Sequence, residues 1–164
     1  LFSFKIRFLQ FCLFLFFQVI CSHKLCLVGS FTIDYPIGRD KFNRTKMALR
    51  SDGKDAITNV KLNQSLGNYS VLDVSIKTGR THQIRVHLSS KKLPIIGDKT
   101  YDPSKTITKG SSKELIEIIR SFSRQALHAR LLSFECPDTQ KKLSFEIPMP
   151  SDMKNLISSL KKHS

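Results

Sequence analysis

Residues 77–98 read KTGRTHQIRVHLSSKKLPIIGD, and they concentrate polar and cationic groups at a strand-to-helix junction. Thr78-Gly79 breaks the strand that precedes them, and Thr81 is placed to cap a short helix carrying Ile84, His87 and Leu88. Arg80, His82, Gln83, Arg85 and His87 lie within eight residues of one another. Guanidiniums near a helix N-terminus grip phosphate or carboxylate bidentately, and the unpaired backbone N–H groups there also favour anions. A lone Arg-x-His is a solvated turn, but five such groups beside a glycine turn read as a site. Pro94, Gly97 and Asp98 then open a loop that runs to about Gly110.

Outward from this stretch the chain reads as α+β. Segment 54–62, KDAITNVKL, sets Thr58, Val60 and Leu62 on one face, and 68–76, NYSVLDVSI, does the same with Leu72, Val74 and Ile76. With the turn at Leu66-Gly67-Asn68 the two form an antiparallel pair. Ser111 and Glu114 make a capping box for a helix with Leu115, Ile118, Ile119 and Phe122 on its apolar face. Residues 126–135 and 142–147 read as two more strands around a Pro137-to-Gln140 turn. Ser151 caps a last helix built on Met153, Leu156, Ile157 and Leu160.

Lys and Arg number 27 against 13 Asp and Glu, a formal net charge of +14 in 164 residues. A surplus of that size selects an anionic partner, most commonly a nucleic-acid backbone. Cys12, Cys21, Cys26 and Cys136 form no Cys-x-x-Cys pair, which argues against a zinc site or disulfide framework and for a reduced compartment. Residues 1–22 stand apart. Lys5 and Arg7 precede an uncharged run from Phe8 to Ser22, shorter than the roughly 20 residues a membrane span needs and interrupted by Gln10 and Gln18. Three readings compete: a targeting segment, a buried strand or helix of a larger domain, or a stretch foreign to the fold, which is favoured. Domain organisation is therefore read as 1–22, apolar and non-native or targeting, and 23–164, one domain.

The string TGRTHQIRVHL (78–88), followed by PIIGD and Tyr101, resembles the hallmark motif of the RluA-type RNA pseudouridine synthases. IDYPIGRD (33–40), RQALHARLLSFECP (124–137) and FEIPMPSDM (145–153) resemble further segments of that family in the same order. The resemblance covers about residues 24–160, the C-terminal portion of the family's catalytic domain. It implies a mixed, mostly antiparallel sheet with flanking helices. It also implies an isomerase that breaks the N-glycosidic bond of a uridine, rotates the base and rejoins it through C5, without an organic cofactor or metal. The base is flipped out of its stack, and the implied partner is structured RNA, tRNA or rRNA, not DNA or a membrane.

Carried onto this chain, the resemblance makes Arg80 the partner of the nucleophilic aspartate, holding that carboxylate ionised and oriented. His82, Gln83 and Arg85 shape the same end of the cleft, Asp98 organises the loop, Leu127 and His128 lie on a strand beside the site, and Arg39 joins the RNA-binding set. Two features of the family's pattern are not found in the 164 residues. No His-Arg-Leu-Asp segment occurs, the first acidic residue being Asp34, and Lys24 stands where the family has its active-site tyrosine. The expectation is a monomeric intracellular RNA pseudouridine synthase, in a chain that lacks its catalytic aspartate. The alternative is a non-catalytic RNA-binding remnant of such an enzyme.

Overall fold

The computed structural model describes residues 14–22, 29–102, 107, 111–136 and 138–163. Within these residues the alternating segments become strands and the 3.6-periodic ones become helices. In chain order they are β1 (Phe14–Ser22), β2 (Ser30–Asp34), β3 (Ile37–Arg39), β4 (Met47–Leu49), β5 (Ile57–Leu66) and β6 (Tyr69–Ile76). There follow α1 (Gln83–Ser90), α2 (Lys113–Ser121), β7 (Leu127–Glu135), β8 (Lys142–Glu146) and α3 (Ser151–Lys162). The main sheet has the order β2-β5-β6-β1-β7-β8 and every pairing in it is antiparallel. A separate two-stranded hairpin, β3-β4, stands beside it.

The expected β5–β6 pair forms, with Thr58 opposite Ile76 and Val60 opposite Val74, although β5 begins three residues later than the pattern suggested and runs to Leu66. Alternation then sorts the sheet into two faces. Thr58, Val60, Leu72 and Val74 enter the core, whereas Asn59, Lys61, Asp73 and Ser75 line the opposite concavity.

The larger departure from the sequence reading is β1. Phe14–Ser22 lies in the middle of the sheet, hydrogen-bonded to β6 on one side and β7 on the other. Val19, Ile20 and Cys21 are fully buried. A boundary after residue 22 therefore does not separate an appendage from the domain: residues 14–22 are one of its central strands. Residues 1–13 lie outside the described part. No helix among the described residues is long and apolar enough to cross a membrane.

The end of β1 also fixes the loop after α1. Ser22 donates to the carbonyl of Pro94 and Ile96 to that of Ile20, while Ala126 donates to Ile96. This lacing forces the chain past Arg124 at Gly97, where φ is +78° and a Cβ would sit 2.0 Å from the Arg124 carbonyl oxygen. Only glycine fits there. The next residue is Asp98, so its carboxylate is delivered to a fixed place.

Candidate active site and RNA-facing cleft

Helix α1 starts one residue later than a Thr81 cap would give. His82 occupies the N-cap position in the left-handed region, φ 56°, and makes no side-chain cap hydrogen bond. A non-glycine residue there costs on the order of 1–2 kcal/mol. Tyr101 offsets that strain. The Met47 backbone N–H donates to the Tyr101 phenol oxygen at 2.8 Å, leaving the phenol to donate to His82 Nδ1 at 2.9 Å. The two rings meet edge to face, 5.6 Å between centroids. His82 must be neutral to accept that bond, and burial followed by the nearby Arg85 charge lowers its pKa below the usual histidine value.

Gln83 ties the turn that precedes α1 to β5. Its Oε1 accepts from Thr78 Oγ1 at 2.8 Å and from the Arg80 backbone N–H at 3.0 Å. Its Nε2 donates to the Ile57 carbonyl and to Thr58 Oγ1. Gln83 is buried, and its amide is fully used inside the protein. It shapes the cleft by holding the Thr78–Arg80 turn against β5.

Thr58 passes the chain of hydrogen bonds to His87. The threonine hydroxyl donates to His87 Nδ1 at 2.9 Å, and His87 Nε2 donates to the Tyr35 carbonyl at 3.0 Å. That assignment uses each proton once and requires a neutral imidazole. Burial lowers the His87 pKa, outweighing the Tyr35 carbonyl and the Asp34 charge, which act the other way. The lowered value ties stability to pH. Below about pH 6.5 the unfolded histidine takes up a proton that the folded one refuses, so stability falls as pH drops from there toward the folded pKa. A series of urea melts from pH 7.5 to 5 is expected to show this fall. The His87→Gln variant should show a shallower one, and equal slopes would exclude His87 as its source.

Arg85 is likewise engaged within the fold. Its Nε and Nη2 form a bidentate pair with Asp98, at 2.7 and 2.8 Å, and its guanidinium lies 4.8 Å from the Tyr101 ring centroid. Asp98 also accepts the backbone N–H groups of Thr100 and Tyr101. Burial alone would raise the Asp98 pKa, but Arg85 and these two donors together bring it below the ordinary carboxylate value. The bidentate anion grip read from the sequence exists, and its anion is the protein's own Asp98, the expected loop organiser.

Arg80 differs from these neighbours. Its Nε donates to the Asp55 carbonyl at 2.9 Å, and among the described residues no carboxylate pairs with its guanidinium. It lines a cleft of about 570 Å³ between the Thr78–Thr81 turn and the β3–β4 hairpin. Arg39, Arg44 and Lys54 line the same cleft, together with Asp52, which is held by Arg50. Arg39 and Arg80 thus line one cleft. Leu127 and His128 do not line this cleft. Leu127 pairs with Val19 on β7 and packs on the main core, and His128 donates from Nε2 to the Ile147 carbonyl. In register Leu127 is level with Leu72 across β1, whereas Arg80 lies beyond the far end of β6. Arg44 and Lys54 were not singled out in the sequence, and Tyr101 only as the end of the motif. The signal for the first was present: Arg39, Lys41, Arg44 and Lys46 crowd residues 39–46. No group of three or more potential metal ligands occurs among the described residues.

Comparison with known proteins decides what this arrangement belongs to. The RNA pseudouridylate synthase family profile matches residues 25–90, the segment that carries the hairpin, β5, β6 and α1. The ribosomal large subunit pseudouridine synthase D of Xanthomonas campestris is 41% identical over 138 residues, 84% of this chain. The chain belongs to the RNA pseudouridine synthase family. The synthase D of Vibrio cholerae is 40% identical over 144 residues, and an uncharacterized RNA pseudouridine synthase of Bacillus subtilis is 41% identical over 132. The chain spans less than half of these relatives, 42% and 44% of the first two synthases. The fold agrees as well. The human RNA pseudouridylate synthase domain-containing protein 4 superposes with a TM-score of 0.66 at 23% identity, over 91% of this chain and 62% of that one. As in the expectation, the pseudouridine synthase sheet here is mostly antiparallel with flanking helices.

Proposed function

We propose that the protein is an RNA pseudouridine synthase isomerising uridine to pseudouridine in structured RNA, tRNA or rRNA. In this reading residues 14–163 supply the RNA-gripping side of the cleft and the arginine that orients the catalytic carboxylate. The observation that carries the reading is sequence identity near 40% to pseudouridine synthases over about four-fifths of the chain, motif residues 78–88 included. In the reaction the N-glycosidic bond breaks, the base turns, C5 bonds to the ribose and gives up its proton, and N1 takes up one in turn. The nucleophilic carboxylate must enter that exchange ionised, and Arg80, with no ion pair of its own among the described residues, is the group that would hold an aspartate ionised there. Arg39, Arg44 and Lys54 would take phosphates of the strand that carries the target base. Gln83 and the Arg85–Asp98 pair act one step removed, by fixing the backbone from which Arg80 projects.

Two readouts test this. The purified 164-residue chain is expected to bind structured RNA with an affinity that falls steeply with salt, and Lys54→Ala should weaken binding to every RNA about equally while lowering the salt slope by about one. Because the sequence contains no His-Arg-Leu-Asp segment, the same chain should leave uridines unchanged in primer-stop mapping. RNA binding that ignores salt, or pseudouridine made by this chain alone, would contradict the proposed division of labour.

A further inference from the structure

The β3–β4 hairpin carries a feature that neither the fold nor the isomerisation uses. At its tip, in the loop 40–46 of sequence DKFNRTK, Phe42 is 98% exposed. A phenylalanine side chain left wholly in water forfeits roughly 1.5–3 kcal/mol that burial would supply. The loop does nothing to hide it. Asp40 Oδ1 accepts the backbone N–H groups of Phe42 and Asn43, both at 2.8 Å, and Asn43 Oδ1 accepts the Thr45 N–H and hydroxyl. These bonds fix the turn and hold the ring outward. They also lower the Asp40 pKa and occupy the loop's one carboxylate. On either side of Phe42 in the sequence stand Arg39, Lys41, Arg44 and Lys46, and the Arg39 guanidinium donates to the Arg44 carbonyl across the turn at 3.2 Å. The cationic cleft holding Arg39, Arg44, Lys54 and Arg80 begins at the base of this hairpin.

We infer that Phe42 is a stacking platform for an unpaired base of a single-stranded RNA segment whose phosphates run along the hairpin into the Arg39–Arg44–Lys54 cleft. An aromatic face set among guanidinium and ammonium groups matches the two features every single-stranded nucleic acid offers, a π-face and a phosphate. The flanking charge favours an anionic partner, and a turn fixed by hydrogen bonds lowers the entropy lost on stacking. The inference rests on the RNA-binding reading above and adds to it a base contact outside the catalytic cleft.

The sequence contains no tryptophan, so Phe42→Trp introduces a single indole as reporter at the platform. Oligo-uridylate should quench its emission, and the same strand built from abasic sugar-phosphate should not. In parallel, Phe42→Ala should weaken oligo-uridylate binding roughly 5- to 150-fold, the stacking of one to a few kcal/mol expressed as affinity, and leave binding of the abasic strand unchanged. With the side chain in solvent, neither substitution has a packing role to disturb, and matching urea midpoints check that. If Phe42→Ala binds both strands like the wild type, the platform is refuted while RNA binding stands. If the unaltered chain binds no RNA, both readings fall. Emission that shifts to the blue on phosphatidylserine vesicles, without quenching by RNA, would overturn the proposal in favour of a membrane-surface contact.

Discussion

Replacing Arg85 by alanine is expected to destabilise the fold by about 3–5 kcal/mol, because it leaves a buried carboxylate without its counter-charge. The Asp98 side chain is 1% exposed and Arg85 12%, so water cannot take over the role of the lost guanidinium. The damage should extend beyond the pair. Asp98 collects the N–H groups of Thr100 and Tyr101, Arg85 lies against the Tyr101 ring, and Tyr101 in turn restrains His82 and Met47. Losing Arg85 therefore loosens the link between the motif turn and the β3–β4 hairpin. Urea unfolding of the variant measures the loss, and a change below about 1 kcal/mol would show that the pair is not a fastening of the fold. Protonation supplies a second sign. The depressed Asp98 pKa means that the pair's contribution is complete above the ordinary carboxylate range and disappears as pH falls through the folded value. In Arg85→Ala the same burial, no longer opposed by the guanidinium, should push the Asp98 pKa up and move the acid-induced loss to higher pH.

How far the sequence led differs from element to element, for physical reasons. Strands with one polar face, such as 57–66 and 69–76, announce themselves by alternation, and their antiparallel pairing followed from the Leu66-Gly67-Asn68 turn. Strand β1 hid because its buried half, Val19 to Ser22, has no solvent face to encode. A strand enclosed on both sides reads as a continuous apolar run, and composition alone cannot distinguish that from a leader or an anchor. The start of α1 was misplaced by one residue because His82 is kept left-handed by Tyr101, nineteen positions along the chain. At α2 the cap is Ser112, not Ser111: its hydroxyl accepts from the Leu115 N–H, and two adjacent serines offer the same local chemistry. The last helix begins at Ser151 itself, after Pro150, so Ser151 is the first helical residue and not the cap.

The site was legible as chemistry before it was legible as geometry. The cluster of Arg, His and Gln at 80–87 folds into one turn, and only Arg80 of it lines the cleft without an internal ion pair among the described residues. Gln83, Arg85 and His87 satisfy one another's surroundings instead, through Thr58, Asp98 and Tyr35. Their partners lie between 13 and 52 residues away, distances at which no local pattern operates. Arg39 reached the same cleft from the other side, whereas Leu127 and His128 belong to β7 and approach it only through the sheet.

The central proposal is that Arg80 serves a pseudouridine synthase active site as the partner of its carboxylate. Its most direct test is a chimera. The part of the Vibrio cholerae synthase D that this chain does not span is joined ahead of residues 14–164, so that β1 is kept, and the product is given structured rRNA. The account predicts pseudouridine by primer-stop mapping. It further predicts that Arg80→Ala in the chimera lowers the rate at least about a hundredfold while RNA affinity changes little, since the group acts on the reacting carboxylate and not chiefly on the phosphates. A chimera that is folded and binds RNA yet works equally well with alanine at position 80 would contradict it.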